Sequence, residues 1–161
     1  MVAEDRTAFW NFSIAIYGRP GVRDACLRLQ DEAGLDVNVL LYCLWRAACG
    51  RDLEAEDLRA RLAALAPWMA AAVKPLRTLR RALKAADGLP SDAAELARQL
   101  SALELEAERT AQDLILSAVP EPPAKAVAQG HDRARAHLSL YVSLTQARPS
   151  PDDLALLVAS L

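Results

Sequence analysis

Hydrophobic residues recur along the chain at intervals of three and four, which is the spacing of one face of an α helix. In the segment 22–32, for example, one face carries Val22, Ala25, Cys26 and Leu29. No segment of useful length shows the strict alternation of apolar and polar residues that indicates a half-buried β strand. The pattern therefore predicts an all-α fold.

Glycine, proline and capping residues divide this pattern into separate helices. We predict helices over about residues 6–17, 22–32, 37–49, 93–117 and 124–146, and a short amphipathic helix after the segment 147–153. Between residues 53 and 86 the sequence predicts further helix. There Pro67 and Pro75 either kink one helix or separate three, because proline removes a backbone donor and crowds the preceding turn.

The segment 37–49 is apolar on nearly every side, which is typical of a helix in the centre of a domain. A chain of 161 residues fits one domain. We therefore predict a single bundle of about six to eight helices around this central helix. Within the domain, residues 1–50 form a three-helix unit, residues 51–147 form helical hairpins, and residues 148–161 form a short terminal helix.

The helix 93–117 carries a narrow apolar seam of the kind found in antiparallel helix pairs. Its members are Leu96, Leu100, Leu103, Ala107, Thr110 and Leu114. Residues 74–84 contain five bases and no acid, whereas residues 87–113 contain seven acids and two bases. We therefore expect the two segments to pack antiparallel. Opposite charges should select their register, since each exposed pair contributes only about 0.2–1 kcal/mol.

Composition and charge narrow the class of protein. The chain is 53% hydrophobic and 25% charged, with a net charge of -2, so it should fold and has no bulk attraction to nucleic acid. We interpret the basic segment 74–84 as a solvated, pair-forming face, with phosphate binding as the weaker alternative.

The N-terminus carries acids where a secretory signal has bases. The longest apolar run, of thirteen residues, is shorter than the roughly 20 of a membrane span. We expect a cytoplasmic protein that does not enter a membrane.

Candidate metal and catalytic residues are few. Cys26, Cys43 and Cys49 show no zinc-type spacing, so we expect reduced, buried thiols. His131 and His137 are six residues apart and fall on different faces of a helix, which argues against a shared metal. Glycine-rich phosphate loops and nucleophile elbows are missing from the sequence. We predict no cofactor, no metal and no catalytic residue, and we interpret the pair 152–153 as helix-capping aspartates.

Polar residues on the central helix are the most informative feature. Asp36 is placed to cap this helix. Asn38, Tyr42 and Arg46 then follow at intervals of four and need partners, because each buried unpaired polar group costs about 1–3 kcal/mol. Those partners are either Asn11, Gln30 or Asp31 from the first two helices, or a bound ligand. The ligand hypothesis predicts one site formed by Trp10, Asn11, Gln30, Asp31, Asp36, Asn38, Tyr42, Trp45 and Arg46.

The N-terminal third has a specific pattern of its own. It contains Phe9-Trp10-Asn11-Phe12-Ser13, Tyr17, Gly21-Val22, Cys26-Leu27-Arg28-Leu29-Gln30-Asp31 and Gly34-Leu35-Asp36-Val37-Asn38, and it ends at Trp45. In these motifs the chain resembles a family of small proteobacterial all-helical proteins of unknown function. The resemblance implies a bacterial cytoplasmic protein, and it supplies no activity, cofactor or catalytic residue.

Two hypotheses about function remain open. The first is a non-enzymatic interaction or regulatory protein that binds a protein partner or itself, for which the amphipathic terminal helix is a candidate docking element. The alternative is a small-molecule-binding protein, with or without enzymatic activity, that has a polar pocket in its first three helices. Nucleic acid is the weakest of the candidate partners.

Overall fold

The computed structural model describes residues 2–86, 88, 90, 93–122 and 130–161. These residues form eight α-helical stretches and no β strand, so the predicted all-α fold is confirmed. The helices are α1 (Val2–Tyr17), α2 (Val22–Asp31), α3 (Val37–Ala48), α4 (Ala55–Trp68), α5 (Lys74–Ala85), α6 (Ala93–Ser117), α7 (Gly130–Thr145) and α8 (Pro151–Ala159). The predicted start of α7 at residue 124 lies outside the described residues. In the described ranges, no helix combines the length and the apolar character needed to cross a membrane.

Helix α3 lies in the centre of the bundle. Every residue from Asn38 to Ala47 is buried, and the helix packs against α1, α2, α6 and α7. One hydrophobic core contains α3 together with buried residues from α1, α2, α4, α6, α7 and α8. The central position of α3 leaves its polar side chains dependent on partners from the surrounding helices.

The turn between α2 and α3 fixes where α3 begins. Gly34 has a φ of 70°, in the left-handed region that favours glycine. Its N–H donates to the Gln30 carbonyl at 3.2 Å, and the next N–H, of Leu35, donates to the Leu29 carbonyl at 3.1 Å. The bond from the Gly34 N–H spans four residues and is that of the αL motif, which ends a helix. The Asp36 side chain then accepts from the first backbone amides of α3, so its predicted capping role is confirmed.

Pro67 and Pro75 leave one continuous helical segment. Helix α4 passes through a π-helical turn, Met69–Val73, into α5. In this turn the Lys74 N–H donates to the carbonyl of Met69, five residues back instead of four. Proline crowds the carbonyl four residues before it, and the wider turn directly before Pro75 makes room for its ring. The structure thus resolves the choice that the sequence left open.

Helices α5 and α6 pack antiparallel, and opposite charges join them as predicted. Arg77 Nη2 lies 2.5 Å from Glu108 Oε1, and Arg77 Nε lies 3.3 Å from Glu104 Oε1. Arg80, one turn further along α5, also donates to Glu104. No residue of α5 is fully buried, so these ion pairs attach α5 to the bundle together with Leu76, which packs against the core.

The predicted apolar seam of α6 was partly wrong. Leu96 and Leu103 are 48% and 50% exposed. The face that is buried runs through Leu100, Glu104, Ala107, Ala111 and Ile115. The prediction counted no charged residue and therefore missed a face in which a buried glutamate is paired with arginines of α5.

The cap of α8 also differs from the prediction. The side chain of Ser150 accepts from the Asp153 N–H, so Asp152 and Asp153 do not cap this helix. The Asp153 carboxylate instead pairs with Arg28 of α2, with Arg28 Nη2 2.5 Å from Oδ1. Helix α8 packs against α2 and α7 and buries two of its apolar residues there. Its apolar face is thus used within the fold, which removes the observation that suggested a docking role.

The three cysteines carry free thiols. Cys26 and Cys43 are buried, and Cys49 is half-buried. Burial raises the pKa of both Cys26 and Cys43 to about 12. These two thiols are therefore protonated at neutral pH and are poor nucleophiles.

His137 of α7 is buried against α3. Its Nδ1 lies 3.1 Å from the Cys43 carbonyl oxygen, and the Cys43 thiol is 3.7 Å from the His137 carbonyl. Burial lowers the pKa of the ring against the opposing effect of the Cys43 hydrogen bond. Arg46 and Arg133 lower it further, whereas the charge of Asp52 raises it. With its pKa below the ordinary value, the ring is neutral at neutral pH.

We predict that His137 destabilises the fold as the pH falls from about 7 to about 5. In the unfolded chain this side chain takes up a proton near pH ~6.5, and in the folded chain it does so only at lower pH. The unfolded state thus binds more protons in this window, and the free energy of unfolding decreases as the pH falls. His137→Gln retains a donor for the Cys43 carbonyl and should show a weaker pH dependence in urea unfolding. His131→Gln, at an exposed position of α7, is the matched control, and equal pH dependence in all three proteins would contradict the prediction.

Candidate functional site

A pocket of about 480 Å³ opens among α1, α2, α3, α5 and α6. Helices α2 and α5 meet at one edge, where Arg81 Nη2 lies 3.0 Å from both carboxylate oxygens of Asp31. Helices α1 and α6 run side by side at the other, and the N-terminal half of α3 lies between them. The volume falls within the roughly 300–1,000 Å³ that is typical of small-molecule sites.

One part of the pocket is apolar. Its lining residues are Trp10, Ile14, Leu27, Val37, Leu41 and Leu105. Ile14 and Leu105 are each 57% exposed, although both belong to large apolar residue types. The guanidinium of Arg109 lies over the Trp10 ring, 5.4 Å from the ring centroid. The pocket is thus a concave surface whose apolar part is exposed to solvent.

A chain of hydrogen bonds crosses the polar part of the pocket from α1 to α5. Gln112 Nε2 lies 3.1 Å from Ser13 Oγ and 3.2 Å from Asn38 Oδ1. The Asn38 amide then donates to Glu108, which also accepts from Arg77 at 2.5 Å. Each of these side chains lines the pocket. Their mutual hydrogen bonds hold the polar groups in fixed positions before any ligand arrives.

Arginines outnumber carboxylates among the lining residues. Four guanidinium groups, of Arg23, Arg77, Arg80 and Arg81, line the pocket with the two carboxylates of Glu104 and Glu108. The Glu104 carboxylate accepts from both Arg77 and Arg80. The lining therefore carries a formal surplus of two positive charges.

The pKa values of the two glutamates are shifted in opposite directions. Burial raises the pKa of Glu108, and the charge of Asp36 adds to this, while the hydrogen bond of Asn38 and the charge of Arg77 act against it. Burial also raises the pKa of Glu104, but Arg80 and Arg77 outweigh burial, and the net pKa is lowered. Two carboxylates one helical turn apart thus have opposite pKa shifts, because only Glu104 is paired with two arginines.

A second polar cluster lies in the interior and forms no part of the pocket lining. The carboxylate of Glu121, which is 6% exposed, accepts from Tyr42 at 2.6 Å and from Arg46 at 2.8 Å. Arg61 of α4 lies 2.8 Å from the same carboxylate, and Arg51 lies at 3.6 Å. We call these five residues the Glu121 cluster.

Aromatic rings and carbonyls complete the Glu121 cluster. The Arg61 guanidinium lies 4.9 Å from the Tyr42 ring centroid, and Arg51 lies 4.8 Å from that of Trp45. Arg61 also donates to the carbonyls of Ile115 and Val119 at the end of α6. Burial raises the pKa of Tyr42, and the charge of Glu121 raises it further. Tyr42 is therefore a neutral donor, and the cluster ties α3 and α4 to the end of α6.

The single site predicted from the sequence is divided between these two places. Trp10, Gln30 and Asn38 line the pocket. Tyr42 and Arg46 belong to the Glu121 cluster instead. Tyr42 follows Asn38 by four residues and Arg46 follows it by eight, which places them about 6 Å and about 12 Å further along the helix axis. They therefore meet different neighbours.

The other predicted site residues have structural roles. Asp36 caps α3, and Asp31 pairs with Arg81 at the edge of the pocket. Trp45 packs in the core, with its ring 5.2 Å from that of Phe9. Asn11 is exposed and lies outside the pocket lining, because its position on α1 points away from α3. Neither Asn11, Gln30 nor Asp31 hydrogen-bonds to Asn38 among the described residues, so these predicted partners were wrong.

Sequence reasoning missed the charged half of the pocket. It interpreted the bases of residues 74–84 as a solvated face, yet Arg77 and Arg80 are only 16% and 21% exposed. The sequence did contain a signal for this half of the pocket. The two arginines are spaced by three residues on α5, and Glu104 and Glu108 are spaced by four on α6. Each spacing places both members of a pair on one helix face.

The chemistry available in the pocket is hydrogen bonding and charge pairing. The Ser13 hydroxyl contacts the amide of Gln112, which cannot take its proton, and no histidine lines the pocket. Within the part of the chain that the structure describes, no group of three or more His, Cys, Asp or Glu side chains is placed to hold a metal ion.

Comparison with known proteins gives one match. The family model described as "Protein of unknown function (DUF2390)" matches residues 8–115. The match extends well beyond the N-terminal third and includes every residue that lines the pocket. No curated protein matches the chain, and no solved structure matches it.

We predict that Glu121→Gln strongly destabilises the fold. The substitution removes the carboxylate that pairs with the buried guanidiniums of Arg46 and Arg61 at 2.8 Å and that lies 3.6 Å from Arg51. Breaking a buried ion pair from one side costs about 3–5 kcal/mol. Urea unfolding measures the loss. The matched control is Glu56→Gln, because Glu56 is 92% exposed in its pair with Arg59, and this variant should unfold like the wild type. A Glu121→Gln protein as stable as the control would contradict the prediction.

Proposed function

The chain belongs to this family, whose function is unknown, and we propose from the pocket that the protein binds a small molecule. The observation that carries the proposal is that an apolar wall and a continuous hydrogen-bonded polar chain meet in one cavity. Small-molecule sites are mostly apolar, with a few polar groups that fix the orientation of the ligand. The pocket has this composition.

The energetics of the pocket also favour a ligand. Ile14 and Leu105 expose apolar area at the apolar wall, and covering it is favourable by about 25 cal/mol per Å². The polar side chains of the hydrogen-bonded chain, which begins at Ser13 on α1 and ends at Arg77 on α5, are held in place by hydrogen bonds to one another. A ligand therefore does not have to order them on binding, which reduces the entropic cost of association.

The proposal is for binding without catalysis. Among the described residues that line the pocket, Ser13 has the one buried hydroxyl, and this hydroxyl is hydrogen-bonded to an amide. Both carboxylates of the lining form ion pairs with arginines. We also propose that the protein works in the bacterial cytoplasm. The free thiols of Cys26, Cys43 and Cys49 support this location, since reducing compartments keep thiols free.

We predict that the neutral dye N-phenylnaphthylamine binds in the pocket and that Leu105→Arg weakens its binding at least about tenfold. The long charged side chain replaces part of the apolar wall. Fluorescence titration of the dye against purified protein measures the dissociation constant.

Leu103→Arg is the matched control for this titration. Leu103 lies on the same helix and is 50% exposed, close to the 57% of Leu105, but it does not line the pocket. The control should bind the dye like the wild type. Equal affinity in all three proteins, or no saturable binding by the wild type, would contradict the proposed function.

A second candidate function is association with a protein partner or with a second copy of the chain. It is favoured by Leu79 and Leu103, which are each 50% exposed on the hairpin of α5 and α6. If the chain self-associates through them, Leu79→Ser combined with Leu103→Ser should convert an oligomer into a monomer in sedimentation velocity. A wild type that stays monomeric at high concentration would exclude self-association.

A further inference from the structure

We propose that the ligand of this pocket is an amphipathic organic anion, with its oxyanion bound by Arg77 and Arg80 and its apolar body packed against Trp10, Ile14 and Leu105. This inference rests on the proposed function, because it names the chemical class of the molecule that the pocket binds. An anion of this kind fits the positive charge of the lining, the hydrogen-bonding capacity left on the two arginines, and the placement of charged and apolar surface on different helices.

The charge of the lining favours an anion. Four arginines face two glutamates in the pocket. Even when Arg81 is counted as neutralised by Asp31, with which it forms a bidentate pair at 3.0 Å, one positive charge remains in surplus. In a concave site with apolar walls, such a surplus attracts anions more strongly than it does on an open surface.

The two arginines keep donors for a ligand. Arg77 donates through Nε and Nη2, and Arg80 donates through the same two nitrogens. The Nη1 group of each makes no hydrogen bond to any residue that the structure describes, and neither group is sealed in the interior. Ionised oxygens are the strongest acceptors for guanidinium groups. An oxyanion between Arg77 and Arg80 would use these donors.

The carboxylates, by contrast, already accept hydrogen bonds from groups of the chain. Glu104 accepts hydrogen bonds from both Arg77 and Arg80. Glu108 accepts from Asn38 and Arg77. A bound cation would share these carboxylates with the arginine donors and would also meet the surplus positive charge, so the pocket favours an anion over it.

The cavity carries its arginines and most of its apolar surface on different helices, as an amphipathic molecule requires. Arg77 and Arg80 come from α5, whereas Trp10 and Ile14 come from α1, and α6 joins the two sides. Leu105 on α6 extends the apolar side and is 57% exposed. A purely ionic ligand would leave this surface in water, and a purely apolar one would leave the arginine donors unused.

Two dyes that share one body test the inference. Anilinonaphthalene sulfonate carries the same phenylnaphthylamine body as the neutral N-phenylnaphthylamine, with a sulfonate added. Wild-type protein should bind the sulfonate dye at least about tenfold more tightly than the neutral dye, as expected for charge-assisted hydrogen bonds. Arg80→Gln should abolish this preference, so that the variant binds the two dyes with equal affinity. Arg98→Gln, an exposed arginine of α6 paired with Glu95 and outside the pocket, should keep the preference.

A double variant separates loss of the arginine donor from repulsion by the glutamate left behind. Arg80→Gln combined with Glu104→Gln removes both charges. The preference for the sulfonate dye should remain lost in this protein, and its recovery would overturn the assignment of Arg80.

The outcomes distinguish this inference from the proposed function. Equal affinity of the wild type for both dyes, with the neutral dye still sensitive to Leu105→Arg, would overturn the anion inference and leave the pocket as a binding site. Failure of the wild type to bind either dye would overturn both.

Discussion

The carboxylate of Glu121 meets three guanidinium groups and a tyrosine hydroxyl in the interior of the bundle. Arg46 belongs to α3, Arg61 belongs to α4, and Glu121 follows α6. Arg61 in addition binds two carbonyls at the end of α6. The charges have been removed from water, and their mutual pairing together with the hydrogen bonds to carbonyls compensates for that cost. The relative positions of α3, α4 and α6 are therefore fixed at this end of the molecule.

The pocket depends on that arrangement although it lies at the other end of α3. Asn38 and Arg46 are eight residues apart, or about 12 Å along the axis. When Arg46 is fixed against Glu121, Asn38 is held where it contacts Gln112 and Glu108. Helix α5 then completes the site. It buries no residue of its own, so the ion pairs that attach it to α6 are the same ones that form the charged side of the pocket. Binding and the attachment of α5 are thus coupled through Arg77 and Arg80.

The sequence predicted the local features of the fold well, because they depend on neighbouring residues. The end of α2 at Gly34, the cap at Asp36 and the bounds of α6 all follow from turn, capping and periodicity rules. The candidate site was predicted less well because it depends on distant residues. Glu121 lies in a proline-rich segment that predicts only the end of a helix, and its partner Tyr42 is 79 positions away. Glu104 was excluded from the core because it is charged, although its burial is made possible by arginines on another helix.

Arginines pair with glutamates both in the Glu121 cluster and in the pocket. The two regions differ in how exposed their arginines are, and this difference decides which region is suited to binding. In the Glu121 cluster the side chains of Arg46 and Arg61 are 1% exposed. Some of their nitrogens are sealed from solvent without a hydrogen-bond partner among the described residues, and the pocket does not extend to them. At the pocket, Arg77 and Arg80 are partly exposed beside open volume and an apolar wall. The same chemistry therefore fixes the fold where it is enclosed, and it is available to a ligand where α1, α2, α5 and α6 leave space above α3.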